Sequence, residues 1–262
     1  MYSKKFRMVT LLMVLFAAFL AEPLHAADNL SEMVNISGRQ RMLSQRIAKA
    51  YFYYGLGISQ KETRIQMEQA LTRFENSLEK LKKVEDSEVQ ETLSFIALAF
   101  ADYKELVTKP YNKKDAALVL ELSETLLSSC HEVVLLIEGL SGKHLDDIIN
   151  ISGRQRMLSQ RVSKLYIAYQ AGFQDNDTVQ KLKTAVSEFE TALDRLRKEE
   201  RNTDQINMLL DKMKQRWEQI SPYFLSVRKG GLPLMVLTNT DEVTNLAHQV
   251  TGLYVKIASA KK

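Results

Sequence analysis

The sequence predicts an all-α protein of two tandem four-helix, up-down-up-down bundles. Three observations carry that prediction. Only four prolines occur in 262 residues, and a chain rich in Leu, Lys, Glu and Gln favours helices over short strands and turns. Leu71, Phe74, Leu78 and Leu81 recur at steps of three and four, whereas no strand-like alternation or hairpin turn appears. Finally, the chain repeats itself. The twelve residues Asn35 to Arg46 return unchanged as Asn150 to Arg161, at an offset of 115. A fixed internal period marks one folding unit used more than once.

The first 26 residues read as an address. Lys4, Lys5 and Arg7 precede an uncharged run from Met8 to Leu20, and Leu24-His25-Ala26 offers a cleavage site. This is the plan of a secretory signal peptide, so the expected location is the periplasm. A retained membrane anchor is the alternative, but spanning a bilayer takes about 20 apolar residues. Without the segment, 33 Lys+Arg face 31 Asp+Glu, a net +2. That balance gives no electrostatic case for nucleic acid. The single cysteine, Cys130, has no partner for an internal disulfide and reads as a small core residue.

The remaining chain divides into residues 27–139 and 140–262, one copy each. In copy 1 a helix capped by Asp28 or Ser31 runs to about Tyr54 and stops near Gly55 and Gly57. A second runs from about Glu62 to Val84. A third runs from about Glu88 to Val107 and is closed by Pro110. A fourth runs from about Asp115 to Glu138 and is closed by Gly139. Copy 2 gives about 145–170, 178–199, 204–220 (closed by Pro222) and 240–258. The repeat extends beyond the block: Tyr51 matches Tyr166, Phe74 matches Phe189, and His131 matches His248 with a drift of two. Conservation between copies is uneven. From Met67 to Lys83 only six of 17 positions match their counterparts, while the block matches throughout.

The block holds the unusual chemistry. At 100° per residue, Met33, Ile36, Gln40, Leu43, Ile47, Ala50 and Tyr54 form a heptad seam facing a bundle core. Beside it runs a small, polar stripe: Val34, Ser37, Gly38, Arg41, Ser44, Gln45 and Ala48. A helical glycine costs about 1 kcal/mol against alanine, so Gly38 points to a close approach by a backbone or a ligand. Arg41, at the centre of this stripe, offers planar N–H donors that suit a carboxylate, nitrate, sulfate or phosphate. The same holds for Gly153 and Arg156. The candidate ligand-binding residues are therefore Arg41, Gly38, Ser37 and Ser44, with Arg156, Gly153, Ser152 and Ser159. The bland alternative is an arginine paired with an acidic residue. Arg39 and Arg46 read as surface or inter-helix ion pairs.

Asn-Ile-Ser-Gly-Arg-Gln-Arg-Met-Leu-Ser-Gln-Arg, on the first helix of an exported four-helix unit, resembles the PilJ-type domain. That is the N-terminal ligand-binding domain of type IV pili methyl-accepting chemotaxis transducers. It is also similar to the sensor domains of NarX/NarQ-type nitrate/nitrite kinases, which carry Gly-x-x-Arg-Met-x-Ser-x-Arg. Gln40, Gln45, Gln155 and Gln160 replace the Leu and Tyr of those kinases and lie closer to the PilJ pattern. The resemblance implies that Arg41 and Arg156 bind a small anion, nitrate or nitrite first, where two first helices meet. It also implies that a membrane transducer or sensor kinase receives the signal. The alternative is a periplasmic protein–protein interaction module with no small ligand.

The duplication suggests an internal pseudo-dimer around one anion. A turn at Gly139-Leu140-Ser141-Gly142 would set the second first-helix beside the first, with Arg41 and Arg156 at one height. Two guanidinium groups about 7 Å apart repel by about 2 kcal/mol at an effective dielectric near 20, and a shared anion reverses that. The competing geometry is one continuous helix from about Asp115 to Tyr169, which separates the arginines and requires a partner chain. A homo-oligomer fits either arrangement. No Walker loop, nucleophile elbow, His-Glu-x-x-His or Cys-x-x-Cys occurs, so the expectation is no enzyme, no cofactor and no metal. His131, His144 and His248 read as ordinary helix residues.

Overall fold

The computed structural model describes residues 30, 32–141, 147–229 and 231–260. The address segment, the caps Asp28 and Ser31, and the start of the connector, 142–146, lie outside these residues. Eight α-helices follow one another among the described residues. Copy 1 has α1 (32–55), α2 (Gln60–Leu81), α3 (Ser87–Thr108) and α4 (Lys113–Ser141). Copy 2 has α5 (Asp147–Gln170), α6 (Asn176–Arg197), α7 (Asp204–Leu225) and α8 (Pro233–Ala260), with a 3-10 turn at Val227–Lys229. No described helix is long and apolar enough to cross a membrane.

Local chemistry sets the ends. Asp86 accepts from Val89 N at 3.0 Å to open α3, and Asp175 accepts from Thr178 N at 2.8 Å to open α6. Both satisfy an N–H that an uncapped helix leaves without a partner. The two first-helices close in the same way. Gly57 and Gly172 take positive φ, Ile58 N bonds Tyr53 O, and Phe173 N bonds Ala168 O. These are Schellman closures, in which glycine adopts the left-handed conformation without a Cβ penalty.

Three expected ends differ. Gly139 does not stop α4, which continues to Ser141 in a helix of 29 residues; a helical glycine costs only about 1 kcal/mol, too little by itself to end it. Pro222 does not stop α7, which runs on to Leu225. The ring removes one N–H, but Phe224 and Val227 stay buried, and Ser226 returns both its N–H and its hydroxyl to Pro222 O. Lastly, α8 begins at Pro233, not near 240, with proline in the first turn, where its missing N–H costs nothing.

Within copy 2, α5 packs on α6 and α8, and α7 packs on α6 and α8, which closes an up-down-up-down ring. In copy 1, α3 packs on α2 and α4. There α1 fills the remaining corner: Gln40 Nε2 donates to Phe74 O at 3.4 Å, Tyr103 OH donates to Ser44 O at 2.8 Å, and Gln45 Nε2 donates to Ser123 O at 2.7 Å. The two copies pack alike. Phe74 stacks on Phe100 with centroids 4.2 Å apart, and Phe189 stacks on Trp217 at 3.8 Å. Cys130 is fully buried in the core.

The bundles lie side by side. Arg46 Nε donates to Gln160 Oε1 at 3.3 Å, and Tyr53 OH meets Ser163 Oγ at 3.3 Å. Residue numbers rise together along both helices, so α1 and α5 run parallel. This is the internal pseudo-dimer, not the end-to-end continuous helix.

Candidate functional site

The α1–α5 seam is crossed by two buried lysines, one from each copy. Lys49 Nζ reaches Asp241 Oδ1 of α8 at 2.5 Å, and Lys164 Nζ reaches Glu124 Oε1 of α4 at 2.5 Å. Both lysines are fully buried. Arg161 adds a forked pair to Glu124, at 2.6 and 3.3 Å, and Gln66 Nε2 donates to Asp241 Oδ2 at 2.8 Å. Burial pushes each ammonium down to about 8 against the pull of its carboxylate. Lys164 and Arg161 hold the Glu124 carboxyl at about 2 despite its own burial. The pairs are therefore ionised at neutral pH. Sequence reasoning passed over these residues. The signal was present: Lys49 and Lys164 match at the repeat offset, as do Glu124 and Asp241 with the drift seen for His131 and His248.

Arg41 and Arg156 flank this lacing. They are 6% and 5% exposed, and neither forms an ion pair within 4.0 Å among the described residues. Each turns to a histidine of its own bundle. Arg41 Nη1 donates to His131 Nδ1 at 3.1 Å, and Arg156 Nη1 donates to His248 Nδ1 at 3.3 Å. Burial is the main reason that both guanidinium groups fall to about 10, so both remain cationic at pH 7. Burial, and then the neighbouring arginines, also lower both histidines below their usual value. A neutral ring accepting at Nδ1 is the form that these bonds require. Arg41 Nε has no hydrogen-bond partner.

The other expected site residues take more specific parts. A Cβ on Gly38 would lie 3.4 Å from Arg41 Nη2, and one on Gly153 would lie 3.2 Å from Arg156 Nη2. The close approach is thus made by the guanidinium of the same helix, one turn on, folding back over the glycine. Ser37, Ser44, Ser152 and Ser159 are fully buried. Each hydroxyl donates to the carbonyl three residues earlier, at 2.9–3.0 Å. The serines keep the helix face low, and their donors are already in use.

Arg41 and Arg156, expected to share one anion, each have their own surroundings at the seam. Arg41 turns to His131 of the first bundle and Arg156 to His248 of the second, and Arg41 also bears electrostatically on Arg156 across the seam. A cleft of about 230 Å³ beside Arg41 is lined by His131, Arg154, Arg161, Glu124 and Met157, but not by Arg156. It mixes side chains from both copies. On the opposite flank Arg39, from copy 1, bears electrostatically on Arg156 and His248. The seam therefore presents two flanks, each combining Arg and His from one copy with an Arg from the other.

Arg46 is the ion pair expected of it, 3.7 Å from Asp241, and Arg154 pairs with Glu188 at 2.9 Å. Arg39 differs: it forms no ion pair among the described residues, and its buried Nε has no hydrogen-bond partner. Among the described residues no group of three His, Cys, Asp or Glu gathers as a metal site.

The family model described as Type IV pili methyl-accepting chemotaxis transducer N-term (PilJ) matches residues 24–119 and, separately, 142–248. No curated protein and no solved structure matches.

Proposed function

Because the chain belongs to the PilJ family of type IV pili methyl-accepting chemotaxis transducer N-terminal domains, in two tandem copies, we propose that it is a non-catalytic periplasmic sensory module for a small oxyanion. Arg41 and Arg156 bind the anion, and a membrane transducer or sensor kinase reads the result. One observation carries this reading: two buried, cationic arginines at equivalent places hydrogen-bond a histidine nitrogen and form no ion pair within 4.0 Å among the described residues. A structural arginine this deep is ordinarily paired, since an unpaired buried charge is costly. An oxyanion would complete the donor set with charge-assisted bonds.

The seam gives binding a consequence. Each flank takes groups from both copies, so an anion there tightens one copy against the other. Differential binding of this kind shifts a population, which is the form a signal takes. Gly38 and Gly153 leave each guanidinium room to lie over the helix, and the serines keep that face flat.

Calorimetry with nitrate, nitrite, sulfate and small carboxylates tests the reading. Saturable binding that disappears in the Arg41→Ala/Arg156→Ala double variant supports it. If no anion binds at millimolar concentration while the protein remains folded, the reading is wrong and a ligand-free docking module takes its place.

A further inference from the structure

The two flanks share a backbone plan but not a charge. On the first, Arg41, Arg154, Arg161 and Lys164 are met by three carboxylates. Glu124 takes Arg161 and Lys164, Glu188 takes Arg154, and Glu138 bears on Arg41. On the second, with Arg156, Arg39, Arg73, Arg46 and Lys49, the carboxylate that forms ion pairs among the described residues is Asp241. Lys49, Arg46 and Gln66 already engage that carboxylate.

The repeat offset locates the difference. Position 73 of α2 corresponds to position 188 of α6, and there the copies carry Arg and Glu. The same contact brings both near the seam: Gln40 Nε2 bonds Phe74 O as Gln155 Nε2 bonds Phe189 O, at 3.4 and 2.9 Å. Arg154, beside Gln155, therefore finds Glu188. Arg39 holds the equivalent place beside Gln40, and the position equivalent to Glu188 in that copy carries Arg73. Val255 also stands where the first copy has Glu138, at the offset that relates His131 to His248. Neither Arg39 nor Arg73 forms an ion pair among the described residues, and both bear on His248.

We propose that the flank formed by Arg156, His248, Arg39 and Arg73 is the anion receptor, that it takes one doubly charged oxyanion per chain, and that the Arg41 flank has been neutralised. This rests on the anion reading above and narrows it. Three guanidinium groups from α1, α2 and α5 stand there without a carboxylate of their own. A monoanion would leave most of that charge exposed to itself, whereas a dianion such as sulfate, hydrogen phosphate or malonate offsets more of it and supplies several acceptors.

Calorimetry on the mature chain at fixed ionic strength, with sodium sulfate, phosphate, malonate and nitrate in turn, tests this. The expected result is one site per chain, at least tenfold tighter for one of the dianions than for nitrate. Arg73→Glu, a change at an exposed position, should weaken that binding at least tenfold with no loss of helicity. Glu188→Arg removes a carboxylate from the other flank and should raise the stoichiometry towards two. The proposal is overturned if Arg73→Glu binds like the unaltered chain, or if Glu188→Arg leaves one site. Nitrate binding as tightly as the dianions, with affinity untouched by Arg73→Glu, would keep the anion reading and remove this one. Absence of binding by all four would remove both.

Discussion

Replacing Glu124 by Gln should destabilise the protein by about 3–5 kcal/mol at pH 7. The size follows from the seam. Lys164 and Arg161 hold the Glu124 carboxyl at about 2, against an ordinary 4.5, and a shift of that size is worth about 3 kcal/mol of folded-state stability. Removing the carboxylate also leaves Lys164, which is fully buried, with only the Ser123 hydroxyl at 2.9 Å. Shedding the proton at pH 7 from a lysine of ordinary value 10.5 costs about 5 kcal/mol, which bounds the effect from above. Because a buried ion pair is costly to break but cheap to replace, Glu124→Gln/Lys164→Met should recover most of the loss. Urea denaturation of the four corners of this cycle measures it. The pH dependence is a second check. A carboxylate with a lowered folded value stabilises above pH 4.5 and loses that contribution as pH falls towards 2. The unaltered chain and Glu124→Gln should therefore converge in stability across that window. A single-variant cost under 1 kcal/mol, or a double variant as unstable as the single one, would refute the reasoning.

Other outcomes follow from the same geometry. Gly153→Ala should raise thermal stability, by up to about 1 kcal/mol, because the atom it crowds ends a flexible side chain; calorimetry should show weaker anion binding as Arg156 is pushed away. Gly172→Ala should do the reverse for stability, costing about 1 kcal/mol in urea titration, since its φ of 96° suits only glycine. Anion binding should take up protons. Burial and then the facing Arg156, Arg39 and Arg73 hold His248 low. A bound anion offsets that repulsion, so affinity rises as pH falls through the histidine range. Calorimetry in buffers of different ionisation enthalpy reads the uptake directly. Cys130, whose thiol burial pushes up to about 12, should stay inert to a thiol reagent until the chain unfolds.

The block and the periodicity of Leu71, Phe74, Leu78 and Leu81 were enough to read eight helices and two bundles, because hydrophobic spacing and exact repetition are both written locally. The place of Arg41 at the centre of a low-relief helix face was legible in the same way, from the small residues around it. Its direction was not. A guanidinium can turn to either side of its helix, and the partner that decides, His131, lies 90 residues away. Pro222 misled for a related reason: it is a local stop signal overruled by Phe224 and Val227, which pack further along the chain. The lysines at 49 and 164 carried no local mark either, since a lysine is ordinarily a surface residue. Only the comparison of one copy with the other, position by position, sets Arg73 against Glu188.

The Lys49–Asp241 and Lys164–Glu124 crossings also say what it means for two sensing units to share a chain. In a dimer of identical subunits each substitution appears twice, on both sides of the axis. Here the second unit is tethered, so its effective concentration at the seam is of millimolar order and does not fall on dilution. Dilution cannot separate the halves, and each half can drift alone. Arg at position 73 with Glu at the equivalent position 188 is a difference that a symmetric pair of single-copy chains could not hold.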